Sequence, residues 1–240
     1  MAGGCYLCSM LRFFSHYKRF FLFFALLSAV IMVLMYKALQ PVKRLPIYQP
    51  NGVNSELVDS TLQHVKKYHR IADFSLINQN GDTITQEYYA DKIYVADFFF
   101  TTCPTICPIM TANLVDVQEA LIDDNEVLLL SHTVTPEIDS VPQLKKYALE
   151  KGVIDSKWNL VTGSKKEIYE LARKSYFAVQ EDGDGGPFDM IHTENFILVD
   201  KKRRIRGFYD GTKTEEMERL LSDIEILKNS EERDEFDKKG

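Results

Sequence analysis

The chain has 240 residues, of which 45% are hydrophobic and 27% charged, with a net charge of −6. This is a globular composition long enough to bury a core, and its acidic balance excludes a global nucleic-acid-binding footprint, so no nucleic-acid partner is expected. Four cysteines in such a length are too sparse for a disulfide scaffold, which leaves hydrophobic burial to drive folding.

Residues 1–19 form a short N-terminal segment holding Cys5 and Cys8, which read as incidental thiols on the reducing side of a membrane. Phe20–Tyr36 is then uncharged and apolar, at the short end of what spans a bilayer, with Lys18, Arg19 and Lys37 placed to snorkel. The rival reading, a cleaved signal peptide, lacks a clear small-x-small site before Pro41. Residues 20–37 are therefore read as a single-pass transmembrane signal anchor in the inner (cytoplasmic) membrane. Basic residues balance across it: Arg12, Lys18 and Arg19 against Lys37, Lys43 and Arg44. The α-amino group tips orientation towards a cytoplasmic N-terminus and a periplasmic, extracytoplasmic domain. Residues 38–70 read as a linker punctuated by Pro41, Pro46 and Pro50, with a turn signal at Asn51-Gly52.

The domain is expected over residues 71–228. Phe74–Ile77 and Thr83–Thr85 around Asn80-Gly81 read as a β-hairpin. Ile93–Phe100 is a strand buried on both faces, with Asp97 as its one charge. Ile106, Met110, Leu114, Val117 and Leu121 keep helical spacing, which assigns Met110 to the core. Val127–Ser131 is a second buried strand, Pro142 opens a helix, and Trp158–Thr162 is a third strand. Ser164 and Glu167 form a capping box for the next helix. A glycine-rich loop at 181–187 precedes a second hairpin, Asn195–Val199 with Ile205–Tyr209, around the basic turn Lys201-Lys202-Arg203-Arg204. An amphipathic helix over Thr214–Leu227 closes the domain, and residues 229–240 form a charged tail. This alternation, with an antiparallel pair at the end, predicts an α/β sandwich with a mixed central sheet.

The cysteines stand in FFFTTCPTICPIM, directly after the first buried strand, where sites in open α/β sheets gather. Cys103 and Cys107 are four apart, so helical backbone would put both sulfurs on one face, and a helix N-terminus favours thiolate. Two such thiolates are half of a soft-metal site, with copper(I) or zinc as natural occupants. Structural zinc would want four ligands and the domain has no second cysteine pair, whereas copper(I) accepts two or three. Histidine is the natural third donor, and the domain offers His132 and His192. Met190 could add soft sulfur. The small loop between the cysteines makes a purely structural disulfide a weak staple.

The chain resembles the Sco (SenC) family of membrane-anchored, thioredoxin-like copper proteins. The resemblance is carried by FFFTTCPTICPIM, by SHTVTPEIDS and by MIHTENFILVDKKRRIRGFYDG, and it extends over roughly residues 60–228. It implies a thioredoxin-like sandwich with an extra N-terminal β-hairpin, and Cys103, Cys107 and His192 as ligands of Cu(I) or Cu(II). It further implies delivery of copper to the binuclear copper site of cytochrome c oxidase, whose copper-bearing subunit, or another copper protein, is the partner. Two positions depart from the family pattern: Ile191 and Thr135 stand where family members carry acids. Asp97, Asp139 and Asp189 remain as carboxylates able to orient the ligands. Two rival activities use the same thiols. A thiol–disulfide oxidoreductase needs Cys103 and Cys107 but no histidine. A peroxide-reducing thiol wants a cation beside it, and no arginine lies between Arg70 and Arg173.

Overall fold

The computed structural model describes residues 17–39, 43–50, 69–179 and 191–239. The chain divides into two units, Met1–Lys43 and Arg44–Gly240. In the first, helix α1 (Lys18–Leu39) includes Lys18–Tyr36, which is long and apolar enough to cross a membrane by length and composition. Cys5 and Cys8 lie outside the described residues.

The second unit is built on one sheet. Its strands are β1 (Ser75–Asn78), β2 (Thr83–Thr85), β3 (Ile93–Phe99), β4 (Val127–Thr133), β5 (Trp158–Thr162), β6 (Asn195–Val199) and β7 (Ile205–Asp210), in spatial order β2-β1-β5-β4-β3-β6-β7. The central strands β3, β4 and β5 are parallel, while β1 joins β5 and β6 joins β3 antiparallel. Helices α2 (Ile106–Ala120), α3 (Val141–Lys151), α4 (Lys165–Glu170) and α5 (Thr214–Lys239) complete the unit. Gly81, at φ 85°, supplies the left-handed residue of the turn joining β1 to β2.

Strands β3, β4 and β5 are buried along their whole length, which is why they read as near-continuous apolar runs. Alternation along β3 sends Tyr94, Ala96 and Phe98 into one core and Ile93, Val95 and Phe99 into the other, where Cys103, Cys107, Met110 and Leu114 also pack. Asp97 falls on the cysteine side by the same alternation.

Three local features differ from the sequence expectation or add to it. The Ser164–Glu167 capping box does not form: Ser164 makes no side-chain cap, and Glu167 instead accepts the Ser75 N–H at 3.0 Å. A partner on β1 outcompetes the local one, and the helix passes into a π turn over Leu171–Ser175. Helix α5 continues through the charged residues to Lys239, because a run rich in Glu, Arg and Lys is itself helix-forming. The edge strand β7 is covered by the chain before the domain. Tyr48 donates its N–H to Ile205 O at 3.0 Å, and Arg206 donates to Leu45 O at 2.7 Å and Pro46 O at 2.9 Å. The loop at 181–187 lies outside the described residues.

Candidate metal and thiol site

Where β3 ends, the chain turns through Phe100–Thr105 before α2 begins at Ile106. Cys103 therefore precedes the helix and Cys107 sits in its first turn, so the two do not share one helical face. The turn brings them together by other means. Cys103 N–H donates to Phe100 O at 3.3 Å, and Cys107 N–H points at Cys103 Sγ at 3.5 Å. The Thr105 hydroxyl lies 3.8 Å from the same sulfur. Both thiols are free.

The two sulfurs are chemically unlike. Burial pushes the Cys103 thiol up, but at 9% exposure it lies near the surface. The N–H and side-chain contacts of Cys107 and Thr105 outweigh burial and bring it down to about 7. Cys107 is 3% exposed, and burial, with the Cys103 sulfur and the Asp97 charge adding to it, pushes its thiol up to about 12. Alkylation by iodoacetamide should accordingly follow a single titration at Cys103 with its midpoint near 7. At pH 7 that site should react roughly tenfold faster than an ordinary thiol of pKa ~8.5. Thr105→Ala should move the midpoint up, and a wild-type midpoint at or above that of a free thiol would remove the asymmetry.

Asp139 holds the loop beneath Cys103. It is fully buried and accepts hydrogen bonds from Thr101 N–H at 3.2 Å, Thr101 Oγ1 at 2.5 Å, Thr135 Oγ1 at 3.0 Å and Thr133 Oγ1. Thr135, standing where the resemblance implies an acid, is thus one of the donors that satisfy Asp139. Ile191, the other departure, is buried in the core.

Asp97 is 3% exposed and accepts a hydrogen bond from Ser131 Oγ, which itself takes the Trp158 Nε1–H at 2.8 Å. One such donor does not offset burial, which raises the carboxyl to about 7. The next residue along β4 after Ser131 is His132, which is wholly buried and stacks on Phe98, its neighbour across the ladder. His132 Nδ1 donates to Asp97 O at 3.3 Å, which leaves Nε2 as a buried acceptor without a donor. Burial holds the imidazole down at about 4, against a smaller upward pull from that carbonyl. His132 is therefore a core residue, on the opposite side of the sheet from the cysteines.

These two groups set opposite pH dependences. Between pH 6.5 and 4 the unfolded chain protonates His132 and the native chain does not, so stability falls as pH falls. Between pH 7 and 3.8 the native chain protonates Asp97 first, so stability rises as pH falls. From pH 7 to 5, His132→Phe should gain about 2 kcal/mol relative to wild type and Asp97→Asn should lose about as much. Urea unfolding followed by Trp158 fluorescence at the two pH values measures both, and parallel curves for all three chains would contradict the assignment.

His192 is exposed and lies edge-on to the half-buried Phe100 ring, with centroids 6.5 Å apart. Phe100 is the residue whose carbonyl receives the Cys103 N–H. The structure thus brings Cys103 and Cys107 together and leaves His192 one aromatic ring away. Among the described residues no three of His, Cys, Asp and Glu stand close enough to hold one metal ion. Asp189 and Met190 lie outside the described residues. The donor chemistry, two thiols with an imidazole near the same turn, suits a soft ion such as Cu(I). The sequence reading missed Thr101, Thr105, Ser131 and Trp158. Thr105, next to α2 and two residues from Cys103, was the one with a local signal.

The chain matches the family profile described as SCO1/SenC over residues 63–228. It is 34% identical over 158 residues to the SCO1 protein homolog of Bacillus subtilis (strain 168), covering 65% of this chain and 81% of that protein. Among solved structures it resembles BsSco, a member of the Sco family of cytochrome c oxidase assembly proteins in which a disulfide switch was identified. That likeness has a TM-score of 0.57 and 33% identity, over 66% of this chain and 93% of that one. It also resembles Arabidopsis thaliana ScoI, solved with copper bound, with a TM-score of 0.53 and 25% identity over 64% of this chain and 97% of that one. The seven-stranded mixed sheet is the thioredoxin-like sheet of these structures.

Proposed function

The chain belongs to the SCO1/SenC family, and from that premise we propose that it is a membrane-anchored copper carrier that loads the binuclear copper site of cytochrome c oxidase. The observation that carries this reading is the pair of free thiols, Cys103 and Cys107, held on one turn at the carboxyl end of β3. Copper is the cargo, held by both sulfurs and by the His192 imidazole. Cu(I) suits two soft thiolates, and an exposed imidazole beside Phe100 is a donor that can be engaged for binding and released for transfer. The apolar Lys18–Tyr36 helix supports a single-pass anchor; in this proposal it lies in the inner (cytoplasmic) membrane, with the domain on the extracytoplasmic side beside the copper-bearing subunit of the oxidase. Asp139 positions the Cys103 loop, and Asp97 and Asp189 are the further carboxylates able to tune the ligands. The test is a Cu(I) titration of the anaerobically reduced full chain against a competing chelator. His192→Ala should bind more weakly, and undiminished affinity in that variant would overturn the three-ligand reading.

A second activity is favoured by the unlike thiols, one brought down to about 7 and the other pushed up to about 12. The Cys103 thiolate would attack one sulfur of a disulfide in the partner, and the partner's other sulfur would leave as thiolate. Cys107 would then displace the partner from Cys103, leaving Cys103–Cys107 oxidised and the partner reduced by two electrons. A dithiol potential below about −300 mV would assign the bond a structural role instead.

A further inference from the structure

The segment that carries His192 is held on both sides of the histidine. Ile191 and Thr193 are buried, at 3% and 6% exposure, while His192 between them is exposed. Thr193 Oγ1 accepts the Asn195 N–H and the Asn195 Nδ2–H, both at 3.2 Å, and so closes a turn at the start of β6.

One residue of α2 ties this turn to the helix of Cys107. Beyond the last strand pair, Asn195 with Asp210, Gly211 N–H donates to Glu194 O at 2.7 Å, and Gly211 O accepts Asn113 Nδ2–H at 2.8 Å. Glycine is needed at 211 for space, because a Cβ there would meet the Phe196 ring at 2.7 Å and Glu194 O at 3.0 Å. Asp210 Oδ1 accepts the Thr212 N–H at 3.0 Å and the Thr212 hydroxyl at 2.6 Å, which fixes the chain on the other side of Gly211. Asn113 is 8% exposed and lies in the same helix as Cys107. A buried amide has little water to turn to, so its bond to Gly211 selects one placement of that peptide. The histidine is thus tied to the cysteine turn twice. Its ring meets Phe100, whose carbonyl receives the Cys103 N–H, and its backbone runs through Glu194 and Gly211 to Asn113.

We propose that Asn113 is a positioning residue for His192: acting through Gly211 and the Glu194 carbonyl, it sets where the imidazole stands relative to the two sulfurs. The assignment rests on the copper reading above. A ligand on an untied segment loses conformational freedom each time it captures the metal, and the link removes part of that loss in advance.

The test is a double-mutant cycle on the anaerobically reduced full chain in detergent micelles, read by Cu(I) titration against a competing chelator. Asn113→Leu keeps the bulk of the side chain and removes its N–H donor. It should weaken Cu(I) binding about three- to tenfold, and by no more than His192→Ala does. In the His192→Ala background the same substitution should change nothing. Asn113→Ala, which leaves room for water at the Gly211 carbonyl, is a second and milder variant and should act in the same direction. A copper-free readout accompanies the titration. The His192 ring-proton resonances, assigned by their loss in His192→Ala, should move in both Asn113 variants as the imidazole shifts against Phe100, while the Cys103 alkylation midpoint stays where it is. Equal losses in the two backgrounds, or His192 resonances that do not move, would reduce Asn113 to a packing residue and leave the copper reading standing. Undiminished affinity in His192→Ala alone would overturn the copper reading and the proposal with it, whatever the resonances show.

Discussion

Cys103→Ser and Cys107→Ser should each take the reduced chain from about one tightly held Cu(I) to none that survives a competing chelator, a loss of several orders of magnitude in affinity. Serine nearly preserves volume but replaces a soft sulfur with a hard oxygen whose proton is not released near neutral pH. Cu(I) is then left with one thiolate. Both side chains are buried in the core that also holds Met110 and Leu114, where a serine hydroxyl costs stability, so the titration is made at a temperature at which each variant is fully folded and loss of copper does not reflect unfolding. His192→Ala should do less, because the paired sulfurs remain and the histidine is exposed outside their turn. The order of effects, either cysteine well above histidine, is the informative result. Equal losses for all three would point to an obligatory three-donor site, and full binding without Cys107 would remove the copper reading altogether. Activity on a partner's disulfide separates the second reading from the first: Cys107→Ser should trap a mixed disulfide through Cys103, whereas His192→Ala should leave the exchange intact.

What could be read from the sequence follows from how local each feature is. IYVADFFF and VLLLS announce buried parallel strands because both their faces are covered, and the cysteines are placed at the end of a strand by adjacency alone. The helical spacing of Ile106, Met110 and Leu114 likewise settles the core role of Met110, which is 1% exposed. Long-range pairings are another matter. Glu167 looks like a capping residue for Ser164 until β1 brings the Ser75 N–H within reach. Asp97 stands out as the one charge in its strand, but its Ser131–Trp158 chain crosses three strands and becomes legible only once their register is known. The contact of His192 with Phe100 depends on how the chain returns to β6, and nothing in the spacing from Cys107 fixes that return.

The second large effect should come from Asp139, which touches neither sulfur. Its carboxylate is the common acceptor for Thr101, Thr133 and Thr135, residues from the end of β4 and from the loops after β3 and β4. Gln143 adds a hydrogen bond to Thr101 Oγ1 at 3.0 Å, which ties α3 into the same group. Asp139→Ala would strand three hydroxyls and one N–H in a buried space, and hydrogen bonds to a charged acceptor are individually strong. The expected cost is about 3–5 kcal/mol, seen as a fall of roughly 10 °C or more in melting temperature. Asp139→Asn keeps the shape and one acceptor oxygen and should lose about half as much. The functional consequence separates positioning from simple instability. With the Thr101 N–H released, the turn from Phe100 to Cys103 loses its anchor while Cys107 stays fixed in α2. At a temperature where Asp139→Asn is fully folded, its Cu(I) affinity should fall while stoichiometry holds, and the Cys103 alkylation midpoint should rise as the Cys107 N–H contact loosens. An Asp139→Asn chain with lowered stability but unchanged copper affinity and alkylation midpoint would reduce Asp139 to a structural bond.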